Sequence, residues 1–361
     1  MKRPDILVVG GGVIGLMTAW RLSKRGAAVM LVDSRGPAST EAAAGMLAPS
    51  FEHALEQGGE ALSAFSRESL QLWRSFAREI EDESSAGIDF DEGGILSVAF
   101  SDAENAAFVE EADGGEALTR AEALSLEPSL SKEIVAARFA RHDAQVDPSA
   151  VRRALALALQ SCGGAVRRGA QVSEILSDGR SAKGVRLSTG ETIGAGAVIL
   201  ATGARIGGLA RLPEGALFPV KGEAVSLVRI AGAPSRVIRS RRAYLCPKKN
   251  GRVIIGATEI PRDWSVTTDD GRIDALKEGA VQTAPVLQSA EELGRWAGLR
   301  PATKDGVPII GGAPDAENLF YALGHYRNGV LLAPATAEAL ARLILDGAHD
   351  PALAAFSAGR F

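Results

Sequence analysis

The chain has 361 residues, 46% of them hydrophobic, and a formal net charge of −4. This length accommodates about two domains, the composition is that of a packed globular protein, and the charge provides no basic surface for nucleic acid. Two cysteines, Cys162 and Cys246, are too few for a disulfide framework. We therefore expect a cytoplasmic protein that binds neither nucleic acid nor a membrane.

The N-terminal elements form a predicted βαβ unit. Ile6–Val9 has the apolar run of a buried strand, and Val13–Lys24 has the pattern of a helix that Gly26 ends. Ala28–Val32 is the next buried strand and runs into Asp33. Because a helix connects the two strands, we expect them to be parallel.

The turn between the first strand and the first helix carries a dinucleotide fingerprint. Gly10 permits the tight turn, Gly12 lets the backbone approach a pyrophosphate, and Gly15 allows close packing of helix on strand. Asp33 follows Gly15 by eighteen residues, where a carboxylate accepts from ribose hydroxyls. A carboxylate argues against a 2′-phosphate, but this motif alone leaves both flavin and NAD open.

Short helices and strands follow in the middle of the chain. Apolar residues between 62 and 80 recur at helical spacing, and capping boxes at Ser101–Glu104 and Thr119–Glu122 begin two short helices. Pro148 begins a helix that covers Ala150–Gln160. The alternating segment Ala165–Ile193 predicts a β-meander.

The last third of the chain returns to long apolar segments. The sequence predicts strands at 197–203, 220–228 and 319–323, a hairpin at 243–257 through Asn250-Gly251, and helices at 273–284 and 335–345. The fold class is therefore α/β, a Rossmann-like dinucleotide-binding domain, which the family resemblance described below makes an FAD-binding domain, interleaved with an antiparallel α+β substrate domain. We assign residues 1–50, 140–210 and 295–361 to the first domain, and 50–140 and 210–295 to the second.

Two further segments suit the path of a dinucleotide. Ala201 and Gly203 end a buried strand, which indicates either a second backbone approach to the ligand or a plain tight turn. Ser39, Thr40 and the segment Ala42–Met46 follow the second strand and offer hydroxyls and small side chains. They suit a backbone path beside a phosphate and a flat ring, or a helix start packed tightly in the core.

Arg300 is the strongest candidate for substrate binding. It precedes Pro301, which holds it in extended backbone, and its neighbours are apolar, which disfavours a surface salt bridge. A guanidinium binds a carboxylate through two parallel hydrogen bonds. Arg327, Tyr244 and Tyr326 are weaker candidates for the same pocket.

Other chemistries lack support in the sequence. No serine–histidine–acid order indicates hydrolysis, and the four histidines, His53, His142, His325 and His349, have no metal-ligand spacing. We therefore expect no metal. His325 is more readily explained as a turn residue that contributes backbone than as a base.

Several motifs together resemble a known family. They are Ala42–Pro49, Pro219–Glu223, Trp296–Pro301, Lys304–Pro308 and Gly324–Thr336. In this order they resemble the glycine oxidases of thiamine biosynthesis, which belong to the D-amino-acid-oxidase-like flavoproteins. The resemblance implies non-covalent FAD, oxidation of glycine and similar small amines to the imine with O₂ reduced to hydrogen peroxide, and an imine that supplies thiazole synthesis. We also expect a homo-oligomer.

The resemblance also assigns residues. It places FAD contacts on Val13, Ile14, Asp33, Ser34, Ser39, Thr40, Ala44, Gly45, Met46, Val172, His325, Tyr326, Arg327, Asn328, Gly329, Val330 and Leu331. It places the substrate carboxylate on Arg300, with Tyr244, Arg327 and Met46 around the substrate. Related sarcosine oxidases bind flavin through a cysteine near this arginine, and neither cysteine here lies there. Glu259 falls where some glycine oxidases carry methionine, and we expect its carboxylate to disfavour acidic side chains and to favour an amine.

Two other functions remain open at this point. One is a D-amino-acid or N-methyl-amino-acid dehydrogenase that passes electrons to a quinone or another carrier. The other is a flavin-binding protein without turnover. A simple NAD-dependent dehydrogenase leaves the C-terminal motif unexplained.

Overall fold

The computed structural model describes residues 3–34, 36, 39–52, 59–111, 115–348 and 350–361. Its strands are β1 Ile6–Val9, β2 Val29–Asp33, β3 Met46–Leu47, β4 Ile95–Ala99, β5 Glu116–Thr119, β6 Ala136–Ala140, β7 Ala144–Gln145, β8 Ala165–Arg168, β9 Val172–Ser177, β10 Ala182–Leu187, β11 Thr192–Gly194, β12 Ala197–Leu200, β13 Leu217–Val228, β14 Val237–Arg239, β15 Tyr244–Pro247, β16 Arg252–Gly256, β17 Ile260–Pro261, β18 Glu292–Thr303, β19 Ile309–Gly312 and β20 Leu319–Leu323.

The α-helices are α1 Val13–Lys24, α2 Ser39–Ala42, α3 Pro49–Glu52, α4 Gly59–Ser84, α5 Asp102–Glu111, α6 Arg120–Leu126, α7 Pro148–Ser161, α8 Asp270–Thr283 and α9 Gly329–Ala341. Short 3-10 helices cover Pro285–Ser289, Tyr326–Asn328, Pro351–Phe356 and Ala358–Arg360, and a short π-helix covers Arg342–Asp346.

A six-stranded sheet forms the first layer, in the order β19-β20-β12-β1-β2-β8. All of its pairs are parallel except β19 with β20. Helices α1, α4, α7 and α9 cover one face with a large apolar core, and a three-stranded antiparallel sheet covers the other. Burial on both faces explains why these strands are continuous apolar runs in the sequence.

The predicted β-meander at Ala165–Ile193 is wrong in its first strand. β8 pairs parallel with β2 in the six-stranded sheet, and only β9, β10 and β11 form an antiparallel unit. Helix α7 precedes β8, so the chain returns to the sheet through a helical crossover, which gives a parallel strand rather than a hairpin.

A nine-stranded sheet forms the second layer, in which β13 pairs with β16, β17 and β18. The predicted hairpin is confirmed: β15 and β16 are antiparallel, and Gly251 in the turn has φ +85°. β18 pairs with β13 along its length, so the boundary that we placed at residue 295 falls inside a strand of this sheet. The other domain bounds stay predictions.

The predicted helix starts agree with the structure where a side chain caps them. The Asp147 carboxylate accepts from the backbone N–H groups of Ser149 at 2.9 Å and Ala150 at 3.2 Å. Thr119 and Glu122 form the full capping box. At Ser101 the box is incomplete, because the Glu104 carboxylate accepts from the N–H of Phe100 instead.

The last helix begins at Gly329, earlier than the predicted start at residue 335, and Pro334 lies inside it. Proline has no N–H, so the carbonyl of Val330 loses its partner within the helix. The indole N–H of Trp73 on α4 supplies the missing donor, 3.0 Å from the Val330 oxygen. The sequence could not indicate this compensation, since Trp73 is distant in the chain.

The C-terminal helical run Tyr326–Asp346 is long and apolar enough to span a membrane, with a mean hydropathy of 1.2 in its most apolar window. However, 67% of that window is buried inside the protein, where α9 packs against α1 and α4. Burial in the core therefore explains the apolar sequence.

Candidate active site

A cavity of about 860 Å³ lies between the two large sheets, at the carboxyl ends of β1, β2 and β12. This is a usual position for a nucleotide in an open α/β sheet, and the volume is within the range of about 300–1,000 Å³ that ligand pockets occupy. The predicted residues that line it are Gly10, Gly12, Val13, Ile14, Asp33, Ser34, Ser39, Thr40, Ala44, Gly45, Met46, Val172, Ala201, Gly203, Tyr244, Glu259, Arg300, His325, Tyr326, Arg327, Asn328, Gly329 and Val330. Gly15 and Leu331 are not among the lining residues.

We call the part formed by Gly10–Gly12, Asp33 and Thr202 the dinucleotide cradle. Gly10 has φ +117°, and a Cβ there would lie 2.2 Å from the carbonyl oxygen of Ala201. Gly15 packs against Gly10 behind the cavity, where a Cβ would lie 2.0 Å from the Gly10 oxygen. The glycines therefore let two strand ends and a helix start converge, as the sequence predicts.

Asp33 is held by groups on both sides. One carboxylate oxygen accepts from the N–H of Gly11 at 3.2 Å, and the other lies 3.3 Å from a guanidinium nitrogen of Arg152. Arg152 also donates to the Gly11 oxygen at 2.8 Å. A carboxylate has about four acceptor positions, so two remain for hydroxyls of a ribose. Sequence reasoning missed Arg152, which comes from α7 and has no local signal.

The cradle fits the family's cofactor on two further observations. The Thr202 hydroxyl is buried in the cavity wall and has no hydrogen-bond partner among the described residues. Buried hydroxyls normally have partners, so this one is suited to a polar ligand. In addition, α9 begins at the cavity wall without a cap from its Asn328 side chain. The N-terminus of α9 is the positive end of the helix dipole, so it would suit the electron-rich edge of a ring bound in the cavity.

His325 connects the last strand to α9. It is buried, its Nε2 lies 3.0 Å from the Thr336 hydroxyl, and burial lowers its pKa to about 3. The imidazole is therefore neutral and already bonded, which makes it unsuitable as the base of the reaction.

We call the face formed by Gly222, Tyr244 and Arg300 the substrate wall. Arg300 on β18 donates to the backbone oxygen of Thr258 at 3.0 Å. A Cβ on Gly222 would lie 2.3 Å from the Arg300 guanidinium, so the bare backbone of β13 makes room for it. Tyr244 interacts with Arg300, and burial raises the pKa of Tyr244 to about 12, so the phenol stays protonated at neutral pH.

Glu259 and Arg327 face the same cavity as a pair. Arg327 donates to the Glu259 carboxylate at 3.4 Å, and the Glu259 side chain is 47% exposed. Arg327 is therefore a cationic neighbour of Glu259 within the cavity. Met46 lines the cavity from β3, which pairs with β7.

Helix α2, which lines the cavity together with the cradle, contacts strand β18, which carries Arg300. The Ser39 hydroxyl on α2 donates to the carbonyl oxygen of Leu299, next to Arg300. The indole N–H of Trp296 donates to the Ala42 oxygen at 3.2 Å. The cavity wall is therefore continuous from α2 to the strand that carries Arg300.

Some features of the site fall outside the sequence predictions. Sequence reasoning missed Arg239, Arg241 and Arg242, which line the cavity near Tyr244. Neither Cys162 nor Cys246 lines it, and burial raises the pKa of Cys246 to about 11. Among the described residues no group of three or more His, Cys, Asp or Glu gathers as a metal site; His53 and His349 lie outside those residues.

The similarity to known proteins agrees with this geometry. The profile of the family described as FAD dependent oxidoreductase matches residues 5–343. The chain belongs to this family. It is therefore an FAD-dependent oxidoreductase, and its cofactor is FAD.

Relatives within the family are known by name. A glycine oxidase of Bacillus licheniformis is 35% identical, over 95% of this chain and 94% of the relative. The bifunctional protein ThiO/ThiG of Trichormus variabilis is 34% identical over 99% of this chain, which covers 55% of that longer protein. The crystal structure of glycine oxidase from Geobacillus kaustophilus superposes with a TM-score of 0.92, at 31% identity and full coverage of both chains.

Proposed function

We propose that this FAD-dependent oxidoreductase oxidises glycine and similar small amines. The overall reaction converts glycine, O₂ and water into glyoxylate, ammonia and hydrogen peroxide. The observation that carries the proposal is the position of Arg300, which lies in the same cavity as the dinucleotide cradle and beside a protonated Tyr244. Named glycine oxidases at 35% and 31% identity over nearly the whole chain support it.

In this proposal Arg300 binds the substrate carboxylate and fixes its orientation. Two parallel hydrogen bonds from a guanidinium hold a carboxylate in one plane, which directs the neighbouring C–H bond towards the cradle. Such positioning converts a chance encounter into a reactive geometry. When bound, FAD supplies the electron chemistry by accepting two electrons from the amine and passing them to O₂.

No side-chain base is needed if the neutral amine reacts. Tyr244 is protonated and His325 is neutral and bonded to Thr336. The substrate nitrogen then supplies its own electron pair as the C–H bond breaks, and water hydrolyses the resulting imine. Backbone N–H groups at the start of α9 line the cavity and would stabilise negative charge on a flavin ring bound against them.

The proposal also includes a role for the product imine and a cellular compartment. The chain matches the bifunctional protein ThiO/ThiG over 99% of its own length, which supports a role for the imine in thiazole synthesis. Both cysteines are free thiols, which supports a reducing cytoplasm. The homo-oligomer stays a prediction, and sedimentation equilibrium of the purified protein tests it.

An anaerobic titration tests the proposed reaction. Glycine, sarcosine and D-alanine are added in turn to the yellow protein, and bleaching of the visible flavin band is followed. We expect glycine to bleach it, and air to restore it within the turnover time with one hydrogen peroxide formed per glycine consumed. Bleaching that only a quinone reverses favours a dehydrogenase, and the absence of bleaching by any amine contradicts the proposal.

A further inference from the structure

The strand ladder is irregular beside the substrate arginine. β13 pairs with β16 as far as Ala224 and with β17 from Lys221 onwards. Between these two points β13 has two residues, 222 and 223, whereas the opposite side of the ladder has three, 257–259. One extra residue on one side of a ladder is a β-bulge, and bulges next to binding sites re-aim the groups that they carry. We call residues 257–259 the bulge.

Thr258, in the middle of the bulge, pairs with Glu223 in an unusual way. In a regular antiparallel pair, two opposite residues exchange both of their N–H···O=C bonds. The Thr258 N–H does donate to the Glu223 carbonyl oxygen, at 3.3 Å. The Glu223 N–H, however, donates to the Thr258 hydroxyl oxygen at 2.9 Å. The hydroxyl therefore takes the place of the Thr258 carbonyl in the ladder.

The Thr258 carbonyl oxygen accepts a hydrogen bond from the substrate arginine instead. Nη1 of Arg300 donates to it at 3.0 Å. Arg300 belongs to β18, which pairs with one edge of β13, whereas Thr258 pairs with the other edge. The guanidinium crosses β13 over Gly222, where a side chain would collide with it. The bare glycine and the carbonyl beyond it thus fix the guanidinium together.

Buried charges restrain β13 on its other face. Successive side chains of a strand point to opposite faces, so Lys221 and Glu223 lie on the face away from Gly222. These two side chains are only 4% and 0% exposed, and the Lys221 Nζ lies 2.9 Å from the Glu223 carboxylate. The same Nζ donates to the Ser265 hydroxyl at 3.0 Å. The buried pair holds the strand in place, so the Glu223 N–H keeps its position and needs an acceptor there.

Thr258 itself does not reach the substrate. It is half-buried and is not among the residues that line the cavity, although Ala257 and Glu259 on either side of it are. We propose that Thr258 is the positioning residue of the substrate arginine. Its hydroxyl satisfies the Glu223 N–H, so its carbonyl is available to hold Arg300. This inference rests on the proposed function and deepens it, because it identifies what orients the carboxylate-binding group.

Thr258→Val tests the proposal with little change in shape. The Glu223 N–H loses its acceptor, so the carbonyl at position 258 returns to the ladder and Arg300 loses its contact. We expect KM for glycine to rise about 10-fold, the order expected for one hydrogen bond to a charged group, while kcat changes little. Thr258→Ser keeps the hydroxyl and should restore most of the loss. Thr258→Ala replaces Thr258→Val if that variant does not fold.

Thr303→Val is the matched control. Thr303 is buried on β18, the strand that carries Arg300, and its hydroxyl donates to the Val307 carbonyl oxygen at 2.7 Å. This variant also removes a threonine hydroxyl from the sheet, but it leaves the contact between Arg300 and Thr258 intact. Its KM for glycine should stay close to that of the unchanged protein, whatever its melting temperature.

A double-mutant cycle shows whether Thr258 acts through Arg300. In Arg300→Ala the group that Thr258 holds is gone. Adding Thr258→Val to that variant should therefore lower kcat/KM for glycine by less than about 2-fold, against about 10-fold in the unchanged protein. An equal fold-loss in both backgrounds is the result of a purely structural role and overturns the proposal.

A binding measurement separates this inference from the proposed function. Acetate cannot be oxidised, and calorimetry with the FAD-loaded protein gives its dissociation constant. We expect Thr258→Val to raise this constant about 10-fold and Thr303→Val to leave it unchanged. Equal acetate affinities while glycine is oxidised, or no acetate binding by the unchanged protein, overturn the positioning role. The expected loss of acetate affinity without oxidation of any amine overturns the proposed function and leaves the positioning role standing.

Discussion

The dinucleotide cradle and the substrate wall both bring a ligand close to the chain, but they use different means. In the cradle, Gly10 removes a side chain so that two backbones meet, with only 2.2 Å between a hypothetical Cβ and the Ala201 oxygen. In the substrate wall, Gly222 removes a side chain so that the Arg300 guanidinium fits. The neighbour is rigid backbone in the first case and the end of a flexible side chain in the second. Equivalent substitutions should therefore damage the fold in the cradle and only the chemistry in the wall.

Gly10→Ala should have the largest effect. The new Cβ meets backbone that cannot move, and φ is +117°, so we expect a loss of about 3 kcal/mol in the free energy of unfolding and loss of FAD. Gly26→Ala is the matched control, with φ +92° but open space around the Cβ. Gly26→Ala should lower the free energy of unfolding by about 1 kcal/mol. This variant should keep its FAD and therefore its yellow colour. Urea unfolding and the flavin spectrum of both variants measure the difference.

Arg300→Ala should have the next largest effect, on substrate binding alone. Loss of the charged partner of a carboxylate in a partly enclosed site costs about 2–5 kcal/mol, so KM for glycine should rise by about 100-fold or more. The flavin spectrum and the melting temperature should stay close to those of the unchanged protein. Arg300→Lys keeps the positive charge but cannot form two parallel hydrogen bonds. Its KM for glycine should lie between those of the unchanged protein and Arg300→Ala. Unchanged glycine kinetics in Arg300→Ala would remove the proposed clamp.

Gly222→Ala should have a smaller effect of the same kind. Its Cβ would displace the guanidinium of Arg300 rather than backbone, so we expect KM for glycine to rise about 10-fold with less than about 1 kcal/mol lost in stability. Gly294→Ala on the paired strand β18 has open space around its Cβ and is the control. Equal kinetics in the two variants would show that the position of Arg300 does not depend on Gly222.

His325→Gln should have the smallest effect on catalysis. Its effect should appear instead in how the free energy of unfolding depends on pH. The pKa of His325 is lowered to about 3, so its neutral form stabilises the fold fully above the unfolded pKa near 6.5. As pH falls below that value, the unfolded chain takes up a proton and this stability is lost until about pH 3. Between pH 7 and pH 5 the loss is about 2 kcal/mol. Urea unfolding at both pH values should give a shallower pH dependence for the variant than for the unchanged protein.

The same difference explains what could be predicted from the sequence. The cradle depends on local spacing, so Gly10, Gly12, Asp33 and the bounds of α1 follow from a short segment. The substrate wall depends on which strands pair and in which register, and Arg239 is brought next to Tyr244 only by β14–β15 pairing. Arg300 in this wall has a local signal, an arginine before Pro301 with apolar neighbours, whereas Tyr244 was only a weaker candidate and Gly222 was not indicated.

The early start of α9 and the position of β8 were missed for related reasons. Pro334 is a helix breaker in isolation, and the indole N–H of Trp73 on a distant helix replaces the hydrogen bond that the proline removes. β8 was predicted as part of a β-meander, but its partner is β2 rather than the strand that follows it. In both cases a long-range contact decided the local structure.

The central claim is that the cradle and the substrate wall form one site, with a carboxylate on Arg300 lying against the FAD ring. Titration of the yellow protein with acetate, which cannot be oxidised, tests it most directly. We predict a saturable shift of the visible flavin spectrum in the unchanged protein and none in Arg300→Ala. A shift of equal size and affinity in both proteins would contradict the account.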